Sequence, residues 1–149
     1  MTSSRILYAV LPLMGGALLA AQAPINARLR TALDSPFGSA VVSFTTGLAF
    51  LVVALVVTGQ AGNLSHVGGG PWWAYLGGAI GAFFVVVGLL AVPRVGVTVT
   101  FVAVIAGQLV AGTLIDRFGW LGVPALPLTW ERVTAVVLVG VALVLLLRR

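Results

Sequence analysis

Apolar residues run through this chain in five long blocks, separated by short stretches that carry nearly all of its charge. A hydrocarbon core about 30 Å thick is spanned by roughly 20 apolar residues in a helix. The blocks Ile6 to Ala27, Pro36 to Thr58, Trp72 to Val92, Val95 to Ile115 and Thr129 to Leu147 each meet that length. The fifth is strictly apolar only from Val133, and Thr129 is the expected helix cap that lengthens it. Each block must satisfy its own backbone hydrogen bonds in lipid, so all five are expected to be helices. Runs this long exclude the alternating strands of a membrane barrel.

The connections differ by side. Arg28 to Ser35 and the pair Pro93, Arg94 make tight links, whereas Gly59 to Pro71 and Asp116 to Leu128 are longer and rich in Gly and Pro. Neither longer link is sufficient to fold alone, so residues 1–149 read as one transmembrane domain. Arg5, the apolar run and the tripeptide Ala21, Gln22, Ala23 imitate a cleaved secretory signal. Pro24 would then be the first residue after the cut, an unfavourable place for a residue without an N–H, so a retained helix is expected.

Composition fits an integral membrane protein: 60% hydrophobic, 7% charged, mean hydropathy +1.18. A typical soluble domain carries about 25% charged residues. No cysteine is present, which removes disulfides, thiolate metal sites and thiol catalysis. Net charge +5 comes from eight arginines placed singly or in pairs at the ends of apolar runs. That placement is a topology signal and carries no nucleic-acid signature. With five spans, Arg5, Arg117 and Arg132 lie on the N-terminal side, and Arg28, Arg30, Arg94, Arg148 and Arg149 on the other. Three against five is a weak bias toward a cytoplasmic C-terminus. The four Trp, with Tyr8 and Tyr75, gather near the N-terminal side. Two copies inserted in opposite directions would restore a belt on each face, and an uneven belt in one orientation explains the pattern equally well.

Small residues mark helix contacts in lipid. Gly77 and Gly81, the series Ser39, Ser43, Gly47, and the pair Gly107, Ala111 each repeat at four-residue steps. Polar side chains at membrane depth are the sharper signal. Gln22 and Asn26 share one helix face, and Pro24 between them removes a backbone donor. They are either the wall of a solute pathway or the caps of a helix that ends here. Gln108 lies near the centre of the fourth block, as an interhelical clasp or a ligand contact, because an unpaired amide in lipid costs several kcal/mol. Ser43, Thr45 and Thr46 can return hydrogen bonds to their own helix. No ionisable residue lies in the middle of any block, although charge-coupled pumps usually keep one there. Asp116 is the nearest candidate for coupling or gating, and beside Arg117 and Gly119 it reads equally as an interfacial ion pair or loop anchor. The lone His66 is expected to be solvated. Neither a nucleophile with its base nor a metal-binding cluster is present, so enzymatic readings fail and no cofactor is expected.

The segments QAPIN at 22–26, SPFGSAVVSFTTG at 35–47, PWWAYLGGAIGAF at 71–83 and GQLVAGTLIDRFGWLG at 107–122 resemble the half-size, five-helix YdcZ-like group of the drug/metabolite transporter superfamily. The resemblance covers essentially the whole chain. It implies a plasma-membrane protomer that works as an antiparallel dimer, equivalent to half of an inverted-repeat, ten-helix transporter with a solute site at the bilayer midplane and alternating access. The group's polar elements fall on Gln22, Asn26, Ser43 and Gln108, with Pro24 opening the first helix. Related small multidrug exporters carry a buried Glu on that helix, and this chain has none there. A neutral or anionic metabolite therefore suits the site better than a cationic drug. The partner is expected to be a second copy or an oppositely oriented homologue. A passive pore and an accessory subunit without its own pathway are the alternatives.

Overall fold

A computed structural model describes residues 3–148, with side chains from residue 8 onward. Arg5 and Arg149, which enter the charge count above, lie outside the described side chains. Among the described residues all regular structure is helical: α1 (Ser3–Leu33), α2 (Pro36–Val57), α3 (Gly77–Phe118) and α4 (Trp130–Leu147). Short 3-10 segments occupy Ala61–His66, Trp72–Leu76 and Trp120–Gly122. Among the described residues, four helices are long and apolar enough to cross a membrane. The chain divides into two compact units, one through Arg94 and one from Val95.

In the first unit, α1 runs six residues past the Ala27 at which the apolar pattern stops. The expected link from Arg28 to Ser35 is therefore corrected to a turn of two residues, Asp34 and Ser35. The extension RLRTAL consists mostly of strong helix formers (Arg, Leu and Ala), so the helix outlasts its apolar run. Asp34 ends it with φ 46°, and Ser35 N–H reaches back to Arg30 O at 3.3 Å, the bond pattern of a left-handed C-cap. Ser35 Oγ then accepts from Gly38 N–H at 2.9 Å, and Pro36 opens α2. One short turn thus closes α1 and caps α2. It folds the two helices back to back, and they pack against one another.

The core of this unit is small and sits near that turn. Asn26, Ser39, Ala40 and Leu89 are buried, and Leu89 is 1% exposed. Away from it large apolar side chains point outward; Phe50, Val57 and Phe83 are each more than two-thirds exposed. Such a surface is solvated by acyl chains rather than by water. At the opposite end, Trp72 and Trp73 open the 3-10 segment before α3, and Tyr75 Oη accepts from Gly68 N–H (2.9 Å) and Gly70 N–H (3.3 Å), folding the glycine-rich link. His66 is exposed there, as expected.

The expected third and fourth spans follow one another without a loop, as two helical stretches that meet at a kink and are labelled together as α3. α3 has 42 residues, about twice the roughly 20 that one crossing of a hydrocarbon core needs. It is not uniform: Gly96 departs from helical geometry with φ 82° and ψ 166°, a region open to glycine and strained for other residues. Pro93 stands three residues before this break, and the boundary between the two units falls between them. α3 begins at Gly77 rather than Trp72, because Trp72–Leu76 forms a 3-10 turn, and it ends at Phe118 rather than Ile115.

In the second unit, the chain leaves α3 through Gly119 (φ 64°), and Phe118 stacks on Trp120 with ring centroids 5.0 Å apart. Leu126 N–H donates to Asp116 O at 2.7 Å, which draws the link back to the end of α3. Thr129 holds the N-cap position of α4 with extended geometry but makes no side-chain capping bond.

Candidate functional site

The polar residues of α1 and α2 meet in register. Ser39 Oγ donates to Asn26 O at 2.8 Å, and Ser39 is fully buried. One turn further along each antiparallel helix stand Gln22 and Ser43, and both line an open cleft of about 650 Å³. The pairing follows from geometry: a step of four toward the start of α1 matches a step of four along α2. The four-residue series on α2 thus divides its work. Ser39 ties the helices, while Ser43 and Gly47 face the cleft.

The cleft is lined by the polar residues Gln22, Ser43 and Thr45 and by apolar Val41, Phe44, Leu48 and Leu51, with Gly78 of α3. None of these residues is ionisable. Gln22 and Ser43 are half-buried. Thr46 returns its hydroxyl to Val42 O at 3.0 Å and so belongs to its own helix. Gly47 and Gly78 face open space; a methyl group added at either would meet nothing within 4 Å. Gly81 is different, because an added methyl there would lie 3.8 Å from the Phe44 ring, so this member of the Gly77, Gly81 pair does mark a helix contact. The amide of Gln22 and the hydroxyl of Ser43, in a mostly apolar slot, can hydrogen-bond a small polar molecule, and the lining offers no counter-charge to an ion.

Other expected site residues are distributed differently. Asn26 is buried one turn nearer the Asp34 turn, with its carbonyl engaged by Ser39. Pro24 does not end α1, which stays helical to Leu33; Pro24 lines a second cleft beside Arg28 and Arg30. The alternative in which Gln22 and Asn26 cap a terminating helix is thereby removed. Gln108 belongs to the second unit and is exposed on α3. Asp116, in the same unit, forms its ion pair with Arg132 at 2.7 Å rather than with adjacent Arg117. Successive residues on a helix point about 100° apart, so neighbours in sequence are poorly placed to pair. Sequence reasoning missed Arg30 altogether as more than a topology charge. Its Nη1 donates to Leu89 O at 2.7 Å, and the signal available for it was Pro93, four residues beyond Leu89.

Comparison with known proteins agrees with an exporter-like membrane chain. The family model described as "Putative inner membrane exporter, YdcZ" matches residues 7–145. Inner membrane protein YdcZ of Escherichia coli (strain K12) is 32% identical over 75 residues, 50% of this chain and 50% of that protein. The match to that relative thus spans half of its length. No solved structure matches.

Proposed function

The chain belongs to the YdcZ family and is a multi-pass protein of the cell membrane, and from that premise we propose that it is a subunit of a small-metabolite transporter whose solute contacts lie in the cleft between α1 and α2. The observation that carries this reading is the placement of Gln22 and Ser43 together, about 17 Å and 10 Å of helix from the Asp34 turn, in a slot without any ionisable group. Polar groups at that depth need a partner, and a bound solute or its water is the partner that an open cleft admits. The lining suits a neutral metabolite, or an anionic one that reaches the slot past the interfacial arginines.

In this reading α3 supplies two spans separated at Gly96, so the protomer crosses the membrane five times. The length of α3 and the non-helical geometry of Gly96 support the division. Two protomers, or this chain and an oppositely oriented homologue, assemble antiparallel and rock about the site in alternating access. Asn26 backs the site, Pro24 weakens α1 beside it, Gln108 offers a further amide to solute, and the Asp116 to Arg132 ion pair serves as a gate latch.

The test begins with comparative metabolite profiling of cells with and without the overproduced protein, followed by flux of the shifted compounds in proteoliposomes. Saturable flux is expected for the wild-type chain and a loss of at least tenfold for Gln22→Leu at equal membrane abundance. Undiminished flux through Gln22→Leu would remove the cleft as the solute site.

A further inference from the structure

The end of the first unit opposite the tryptophans carries a second cleft, to which the transport reading assigns no ligand. It encloses about 580 Å³ and is lined by Arg28, Arg30, Thr31 and Asp34 of α1 and its turn, beside Pro24 and by Pro93 of α3. Two guanidinium groups and one carboxylate give the lining a charge of +1. Arg30 is fixed in place by its 2.7 Å bond to Leu89 O, which occupies one of five guanidinium donors. Arg28 is exposed. Thr31 has committed its hydroxyl proton to Ala27 O at 3.1 Å, so it can accept but not donate. Arg94, next to Pro93, is turned back onto Leu90 O at 2.6 Å and adds positive potential nearby.

We propose that this cleft binds a monoanionic phosphate-bearing group, gripped by Arg28 and the free edge of Arg30. A topology signal requires only charge near the interface; it requires neither a cavity nor an arginine held rigid at the cavity wall. Rigid presentation of guanidinium donors is what phosphate recognition uses, because their fork matches two phosphate oxygens at once. The location, at the end of α1 where its apolar run has stopped, is the level at which lipid headgroups lie. Basic pockets between membrane helices recognise anionic headgroups by these same contacts. The net charge of +1 matches one negative charge, and Asp34 disfavours more highly charged groups. The same chemistry serves the phosphate of an anionic lipid or of a free phosphorylated solute.

The experiment uses the purified full-length chain in a neutral detergent. Thermal unfolding is followed with short-chain phosphatidylglycerol, with phosphatidylcholine of equal chain length, and with inorganic phosphate. A rise of about 5 °C with phosphatidylglycerol and none with the other two is expected, because a ligand of the folded state alone raises its melting point. Arg28→Gln should lose most of that rise, while Arg148→Gln, in the second unit, should keep it. Native mass spectrometry of the same samples reads retained lipid independently of stability. Stabilisation by phosphatidylglycerol and by inorganic phosphate alike, lost in Arg28→Gln, would also support the site and would assign it to a free phosphate-bearing solute. No response to phosphatidylglycerol, or equal lipid retention by Arg28→Gln and wild type, would overturn the proposal.

Discussion

Arg30 on α1 donates a hydrogen bond to the main-chain oxygen of Leu89 on α3, 59 residues away, and Leu89 O is the carbonyl that Pro93 leaves without a helical donor. In an uninterrupted helix the N–H of residue 93 would serve it. Because Leu89 is buried, its carbonyl has no water to turn to. An arginine from a neighbouring helix thus repairs the defect that the proline creates, and the repair joins α1 to α3. Arg30→Gln should lower stability by about 1–3 kcal/mol, the cost of leaving a buried acceptor unmet. Pro93→Ala restores the N–H, so Arg30→Gln should cost clearly less in that background. A double-mutant cycle on melting temperatures measures the coupling, and additive effects would show that the two sites are independent.

The Ser39 to Asn26 bond sets the register that brings Gln22 beside Ser43. Asn26 O also serves the α1 backbone, so Ser39→Ala leaves no orphaned group and should cost only about 0.5–1.5 kcal/mol. Ser39→Leu is another matter. Ser39 has no exposed surface, so a larger side chain must part α1 and α2, at about 1–3 kcal/mol. Flux per molecule should fall with it, whereas it should survive in Ser39→Ala. Transport assays normalised to membrane abundance separate the two outcomes.

Hydropathy made the helices legible, because a run of about 20 apolar residues has few other uses in a chain with so little charge. It also marked Gln22 and Asn26, where amides interrupt such a run. Its failures have one physical source, contacts made by groups that hydropathy treats as surface. Arg28 to Leu33 looked like a loop because arginine scores as polar, yet it is a good helix former. Arg30 looked like a topology charge because its partner is a main-chain oxygen, which leaves no trace in side-chain patterns. The ion-pair reading of Asp116 named no partner, because Arg132 lies on the next helix and adjacency in sequence to Arg117 is not adjacency on a helix.

Gly47 offers a test of the cleft that spares the fold. A side chain added there enters open space. Gly47→Ala should stabilise α2 by about 0.5–1 kcal/mol through helix propensity and leave flux near normal. Gly47→Phe should fill the slot opposite Gln22 and reduce flux by at least tenfold at unchanged abundance. Equal flux in both variants would mean that solute passes elsewhere.

The Asp116 to Arg132 pair is about one-third exposed on both sides, so its contribution to stability should be no more than about 1 kcal/mol. The bond from Leu126 N–H to Asp116 O uses main chain alone and survives substitution of the side chain. Asp116→Asn should therefore keep normal abundance while altering flux at least threefold if the pair latches a gate. Asp116→Arg combined with Arg132→Asp should recover wild-type flux. Recovery of stability without any change in flux at either stage would reduce the pair to a loop anchor.

Orientation decides whether one gene product can build the antiparallel assembly proposed above. The chain contains no cysteine, so Ser65→Cys, in the exposed segment Ala61–His66, supplies a single reporter. Intact cells are treated with a membrane-impermeant maleimide before and after permeabilisation. The arginine bias of five against three is weak enough to permit both insertions, so about half of the population is expected to react from outside. That result would make the homodimer sufficient, and antiparallel pairing would place two copies of the Gln22 to Ser43 slot about a common axis. Labelling that is all or none would fix the orientation and exclude a same-chain antiparallel transporter. The solute pathway would then require an oppositely oriented homologue, and flux should appear only when both chains are reconstituted together.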